Sequence, residues 1–133
     1  MKRLLLVEDN RLERKMLLHL LKENLYSFAN IDVTNDGISA IEYLSRSHYD
    51  LIITDLIMPK VDGIELIRNV KKKYPASKII AISGSKPYYL LMAKKLGIEA
   101  VFTKPIDQDR FLKKIFELFN INSKSKIISV KQI

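Results

Sequence analysis

Short runs of consecutive apolar residues alternate along this chain with longer stretches in which apolar positions recur every three to four residues. Leu4-Leu5-Leu6-Val7 and Leu51-Ile52-Ile53-Thr54 are almost wholly apolar, as expected of strands buried on both faces of a parallel sheet. Ile31 and Val33 mark a strand between them, and residues 78–82 and 100–102 mark two more. Helical spacing predicts a first helix over residues 11–25, with Leu12, Met16 and Leu20 in one row and Leu17 and Leu21 beside them. Further helices are predicted over 37–45, with Ile38, Ile41 and Leu44 at helical spacing, and over 63–74, 87–96 and 107–119. Asn10 and Asp62 are good amino-terminal caps, and Pro87 and Gly97 occupy start and stop positions. Lys71-Lys72-Lys73 fall where the helix macrodipole is negative. A solvated last turn accounts for them; a nucleic-acid or membrane patch is the alternative.

Five strands alternating with five helices predict an α/β fold, a doubly wound five-stranded parallel sheet with helices on both faces, flavodoxin-like and (βα)5 in order. Ligands of such folds bind beyond the carboxyl ends of the strands. The polar residues expected there are Glu8-Asp9, Asp55, Ser83 and Lys104. Singly, each has a plainer role as a turn residue, a cap, a loop hydroxyl or a surface lysine. Jointly they form one constellation. Three carboxylates converging at one edge repel one another unless a cation neutralises them, and a hard oxygen set with retained waters suits Mg²⁺. An Asp on the middle strand can then act as a nucleophile toward phosphorus, with a hydroxyl and an ammonium to hold the phosphoryl oxygens.

Composition narrows the alternatives. The 133 residues, 47% of them hydrophobic, suit one globular domain. There is no cysteine and there are only two histidines, which excludes disulfide, thiolate and Cys-ligated metal chemistry and disfavours a His-rich site. The apolar start, Leu4 to Val7, is too short for a signal peptide, and no run approaches the roughly 18 residues of a membrane span. A cytoplasmic location without membrane contact is expected. The net charge of +8 is by itself weak evidence for nucleic acid.

Four segments in this order, Val7-Glu8-Asp9-Asn10, the run from Asp55 through Met58-Pro59 to Asp62-Gly63 and Leu66, Ser83-Gly84, and Lys104-Pro105, closely resemble those of response-regulator receiver domains of two-component signalling. The resemblance implies that residues 1–120 form a receiver whose Asp55 is phosphorylated by a sensor histidine kinase or a phosphotransfer protein. It implies Mg²⁺ bound directly by Asp9 and Asp55, with Glu8 acting through water and the Ile57 carbonyl completing the protein ligands. Ser83 and Lys104 are expected to contact the phosphoryl group, and Lys104-Pro105 to be a cis peptide. Phosphorylation should draw Ser83 inward, and Phe102 is the aromatic expected to fill the space vacated. Such a chain assists its own phosphorylation and dephosphorylation without being a turnover enzyme.

The fourth helix, Tyr88-Tyr89-Leu90-Leu91-Met92-Ala93, is apolar all round, so it is either deeply buried or an interaction surface. The resemblance favours a downstream protein target or a self-dimer on the 87–119 face, with no direct nucleic-acid binding. Residues 121–133 read as a basic tail, either a linker stub or a segment of β character that pairs with an edge. They are too short for a DNA-binding output domain, so a stand-alone or truncated receiver is expected. Without the three lysines of residues 120–133, 20 basic face 15 acidic residues, or +5. Two other readings stand beside this one. A hydrolase of the haloacid-dehalogenase type requires a second Asp two residues after the nucleophile, where this chain has Ile57. A phosphorylation-independent basic binding module predicts that Asp55→Asn leaves binding intact.

Overall fold

The computed structural model describes residues 1–84 and 86–121. Of the tail expected over residues 121–133, residues 122–133 lie outside the described residues. The chain alternates strictly: β1 (Lys2–Val7), α1 (Arg11–Leu25), β2 (Ala29–Thr34), α2 (Gly37–Arg46), β3 (Leu51–Asp55), α3 (Gly63–Lys73), β4 (Lys78–Ser83), α4 (Pro87–Lys95), β5 (Ala100–Thr103) and α5 (Gln108–Leu118). All five strands are parallel in the order β2-β1-β3-β4-β5, the doubly wound sheet predicted. The order reverses at β1, so the connection from β1 leads away on one side and β3 returns on the other. A crevice between the carboxyl ends of β1 and β3 follows from that reversal.

Period-two alternation sorts the buried strand residues into two cores. Leu4, Leu6, Ile53, Ile80 and Ile82 pack against α1 and α5 through Leu17, Leu21, Phe111 and Ile115. Leu5, Val7, Ile52, Ile79 and Ala81 pack on the opposite face against Ala40, Leu44, Ile67, Val70 and Ala93 of α2, α3 and α4. Each fully buried aliphatic side chain contributes about 1.5–3 kcal/mol relative to exposure, so strands apolar on both sides are anchored twice.

The caps are as predicted. Asn10 accepts from the Glu13 N–H at 3.0 Å and Asp62 from the Glu65 N–H at 2.9 Å. Asp107 is itself the cap of α5 rather than its first residue, accepting from the Arg110 N–H. Gly97 ends α4 with a φ of +74°, where a side chain would be strained. Lys71 donates to the Gly97 carbonyl at 2.8 Å, so one of the three lysines at the end of α3 serves a neighbouring helix terminus.

Three helical faces differ from the periodicity. In α1, Leu12 and Met16 are 68% and 51% exposed although Leu20 of the same row is buried; the core stripe is Leu17, Leu20, Leu21 and Leu25. A parallel sheet turns each helix back along the strands, so the first turns of α1 stand at the sheet's rim instead of over it. Ile38 is exposed for the same reason at the start of α2. In α4 only Ala93 is fully buried, and Tyr88 and Leu91 are mainly exposed. The deeply buried alternative for α4 therefore fails.

The loop after β3 holds Lys60 at a φ of +64°. A side chain in the left-handed region costs about 1 kcal/mol. Lys60→Gly should raise the melting temperature by about 4 °C; an unchanged or lower midpoint in thermal unfolding would count against that assignment of strain.

Candidate acidic site at the sheet's carboxyl edge

The pairing of Val7 with Thr54 brings the next residues of β1 and β3, Glu8 and Asp55, to the same end of adjacent strands. Oxygen atoms of Glu8, Asp9 and Asp55 all lie within 4.8 Å of one another. Glu8 and Asp55 are buried, and Asp9 is the more open of the three. Arg14 holds the acidic turn by donating to the Glu8 carbonyl at 3.0 Å and the Asp9 carbonyl at 3.2 Å. Beyond Asp55, the Leu56 N–H donates to the Ile82 carbonyl, and the Gly63 N–H returns to the Leu56 carbonyl at 2.9 Å. Gly63 has a specific purpose: a Cβ there would lie 2.2 Å from the Asp55 carbonyl oxygen and 2.6 Å from the Leu56 Cα. Only glycine lets α3 start against the end of β3.

Lys104, the residue after β5, closes the site. Its Nζ donates to Glu13 Oε2 at 2.7 Å, Glu8 Oε1 at 2.9 Å and Asp55 Oδ2 at 3.3 Å. The Lys104-Pro105 peptide is cis. Burial alone would pull the ammonium below its ordinary pKa. The bonds to Glu13 and Glu8 and the charge of Asp55 outweigh burial and hold it above. Glu8 is moved the other way. Burial pushes its carboxyl up to about 7, assisted by the Asp55 charge, and neither Lys104 nor the Asn10 N–H brings it back.

Ser83 ends β4 one residue past the Asp55–Ile82 pair. It is fully buried, and its hydroxyl has no hydrogen-bond partner. Leaving a buried hydroxyl unpaired costs about 1–3 kcal/mol, so an acceptor brought within its reach would be stabilised. The Ile57 side chain is 40% exposed and its N–H approaches Asp55 Oδ1 only at 3.5 Å.

The geometry departs from the expectation for Phe102. Its ring packs edge-on against Phe111, with centroids 5.4 Å apart, on the α1/α5 core. Alternation along β4 puts Ser83 on the other face, with Ala81, and there the β5 residues are Val101, paired with Ala81, and Thr103, paired with Ser83. Space vacated by Ser83 therefore does not open beside Phe102, because the sheet lies between them. Glu13 and Arg14 belong to the site and were not among its predicted residues. Their available signal was proximity to the Asn10 cap, since the first turn of a helix following β1 must stand at the crevice.

As a donor set, three carboxyl groups with closely grouped oxygens, two of them buried, fit a hard divalent cation. No helix among the described residues is long and apolar enough to cross a membrane.

Comparison with known proteins identifies the family of the chain. Over its full length the chain is 30% identical to the response regulator ArlR of Staphylococcus aureus, of which it spans 59%. The receiver domain of an HD-domain protein from Pseudomonas fluorescens superposes with a TM-score of 0.82 at 22% identity, covering 90% of this chain and 94% of that one. A two-component transcriptional regulator from Clostridium phytofermentans gives 0.75 at 31% identity, covering 90% and 93%. Residues 4–116 match the family described as the response regulator receiver domain, and with the acidic crevice, Ser83 and the cis Lys104-Pro105 at its strand ends, this chain belongs to that family.

Proposed function

We propose that the chain is a phosphoacceptor switch in which Asp55 takes a phosphoryl group from a histidine kinase or phosphotransfer protein and thereby changes affinity for a protein partner. The observation that carries this reading is the convergence of Glu8, Asp9 and Asp55 with the Lys104 ammonium at the β1/β3 crevice. An Asp55 carboxylate oxygen forms the new O–P bond while the P–N bond of a phosphohistidine donor breaks and its electron pair leaves with the imidazole nitrogen. Asp9 and Asp55 would hold Mg²⁺ directly, Glu8 through water, and the Ile57 carbonyl would complete the set. Bound there, Mg²⁺ supplies charge neutralisation of the phosphoryl oxygens. Lys104 adds a fixed positive charge, and the unpartnered Ser83 hydroxyl donates to an arriving phosphoryl oxygen.

The position two residues after Asp55 is Ile57, so a hydrolase would lack its general acid. For output, the 87–119 face offers the exposed Tyr88 and Leu91 of α4. Beside them a groove of about 620 Å³ runs between α4, β5 and α5, with Leu90, Lys94, Val101 and Arg110 in its walls. A downstream protein or a second copy of the chain would dock there, in the cytoplasm.

Incubation with Mg²⁺ and acetyl phosphate, followed by intact mass, tests the assignment. Wild type should gain one phosphoryl group and Asp55→Asn none. Equal gain in both proteins, or none in either, removes Asp55 from the role. Partner binding that survives Asp55→Asn unchanged would instead favour the basic binding module.

A further inference from the structure

A lysine side chain has three ammonium protons and no other means of donating. In this protein all three partners of Lys104 are carboxylates: Glu8 on β1's trailing turn, Asp55 on β3, and Glu13 on the first turn of α1. The shortest of the three bonds goes to Glu13, which is neither at a strand end nor among the grouped acidic oxygens of the crevice. A phosphoryl group on Asp55 brings new acceptor oxygens and additional negative charge. If Lys104 is to serve them, one present partner must release it.

Exposure decides which. The Glu8 side chain is 1% exposed and that of Asp55 is 9% exposed, so neither carboxylate can exchange the ammonium for water without a large desolvation cost. Glu13 is 42% exposed and can turn into solvent at little cost. Its release leaves the helix start intact, because the capping bond runs from the Glu13 backbone N–H to Asn10 and does not use the side chain.

We infer that Glu13 is a latch on Lys104: its carboxylate occupies the ammonium in the unphosphorylated protein and is displaced into solvent when Asp55 carries a phosphoryl group. The inference rests on the phosphoacceptor reading of Asp55 and makes Glu13 a positioning residue that acts through Lys104. Glu13 and Lys104 together also form the polar end of a groove of about 260 Å³ walled by Met16, Leu20, Pro105 and Ile106. Opening the latch therefore alters the rim of the α1 face as well as the crevice.

Titration with beryllofluoride, a phosphoryl mimic, in the presence of Mg²⁺ tests this on the whole chain. Glu13→Gln keeps the side-chain volume and removes the charge that competes for Lys104. It should bind beryllofluoride about fivefold more tightly than wild type, the scale of a half-exposed ion pair. The gain should persist in about 1 M salt, where screening acts beyond about 3 Å, and Mg²⁺ alone should bind the two proteins within about twofold under those conditions. Equal or weaker beryllofluoride binding by Glu13→Gln overturns the latch, as does a gain that disappears in high salt. Asp55→Asn provides the separate control. If wild type takes up no more beryllofluoride than Asp55→Asn, the phosphoacceptor reading falls and the latch with it; if wild type binds and Glu13→Gln binds no better, only the latch falls.

Discussion

Gly63→Ala is expected to lower the urea-unfolding free energy by about 3 kcal/mol, at the upper end for overpacking a rigid site. The added methyl would meet the Asp55 carbonyl oxygen at 2.2 Å and the Leu56 Cα at 2.6 Å. Both are backbone atoms, so no side chain can rotate aside. Relief requires moving the start of α3 away from the end of β3, which breaks the Gly63 N–H bond to the Leu56 carbonyl and shifts Asp55 relative to Glu8. Divalent-cation affinity should therefore fall together with stability. Gly84→Ala is the control, because its nearest new contact is the Lys104 Cδ at an ordinary 3.6 Å. A Gly63→Ala protein as stable as Gly84→Ala, with unchanged Mg²⁺ affinity, would falsify this account of the close approach.

Stability without metal should fall as pH rises from about 4.5 to about 7, and Glu8 should be responsible. Its carboxyl titrates near 7 in the folded chain against 4.5 as the ordinary value. Between those values the folded state keeps a proton that the unfolded state has released. The stabilisation is complete below about pH 4.5 and is lost as pH rises through 7, amounting to on the order of 3 kcal/mol. Glu8→Gln, which carries no titrating proton, should lack this decline, and the difference between the two proteins isolates Glu8 from the other carboxylates. A cation in the crevice competes with the same proton. Apparent Mg²⁺ affinity should rise with pH and level off above about 7, with proton release on binding at about pH 6. Parallel pH–stability curves for wild type and Glu8→Gln, or Mg²⁺ binding without proton release, would show that Glu8 is already ionised in the fold.

Much of the site could be read from the chain because its residues sit at strand ends, and strand ends are local features. An apolar run stopping at Glu8-Asp9, at Asp55 or at Ser83 identifies the last residue before a loop without any knowledge of the neighbours. Parallel winding then brings all such ends to one edge. Phe102 shows where this reasoning failed. Proximity to Lys104 in sequence says nothing about the face of the sheet, and a one-residue difference moved the ring to the α1/α5 core. Leu12 and Met16 failed similarly, since helical spacing gives the angular position of a residue and not whether the sheet extends beneath it.

By itself the sequence determined the order of elements, their caps, the doubly wound class and the residues at the carboxyl edge, because each depends on interactions within a few positions along the chain. Only the tertiary structure decided who shares the Lys104 ammonium. Glu13 and Lys104 are 91 residues apart, and no periodicity or capping rule relates them. The tertiary fold likewise buried Glu8 enough to raise its pKa, left the Ser83 hydroxyl without a partner and required glycine at 63. Those properties arise from the distance and dielectric between separate elements, which exist only once the strands have paired and the helices have packed over them.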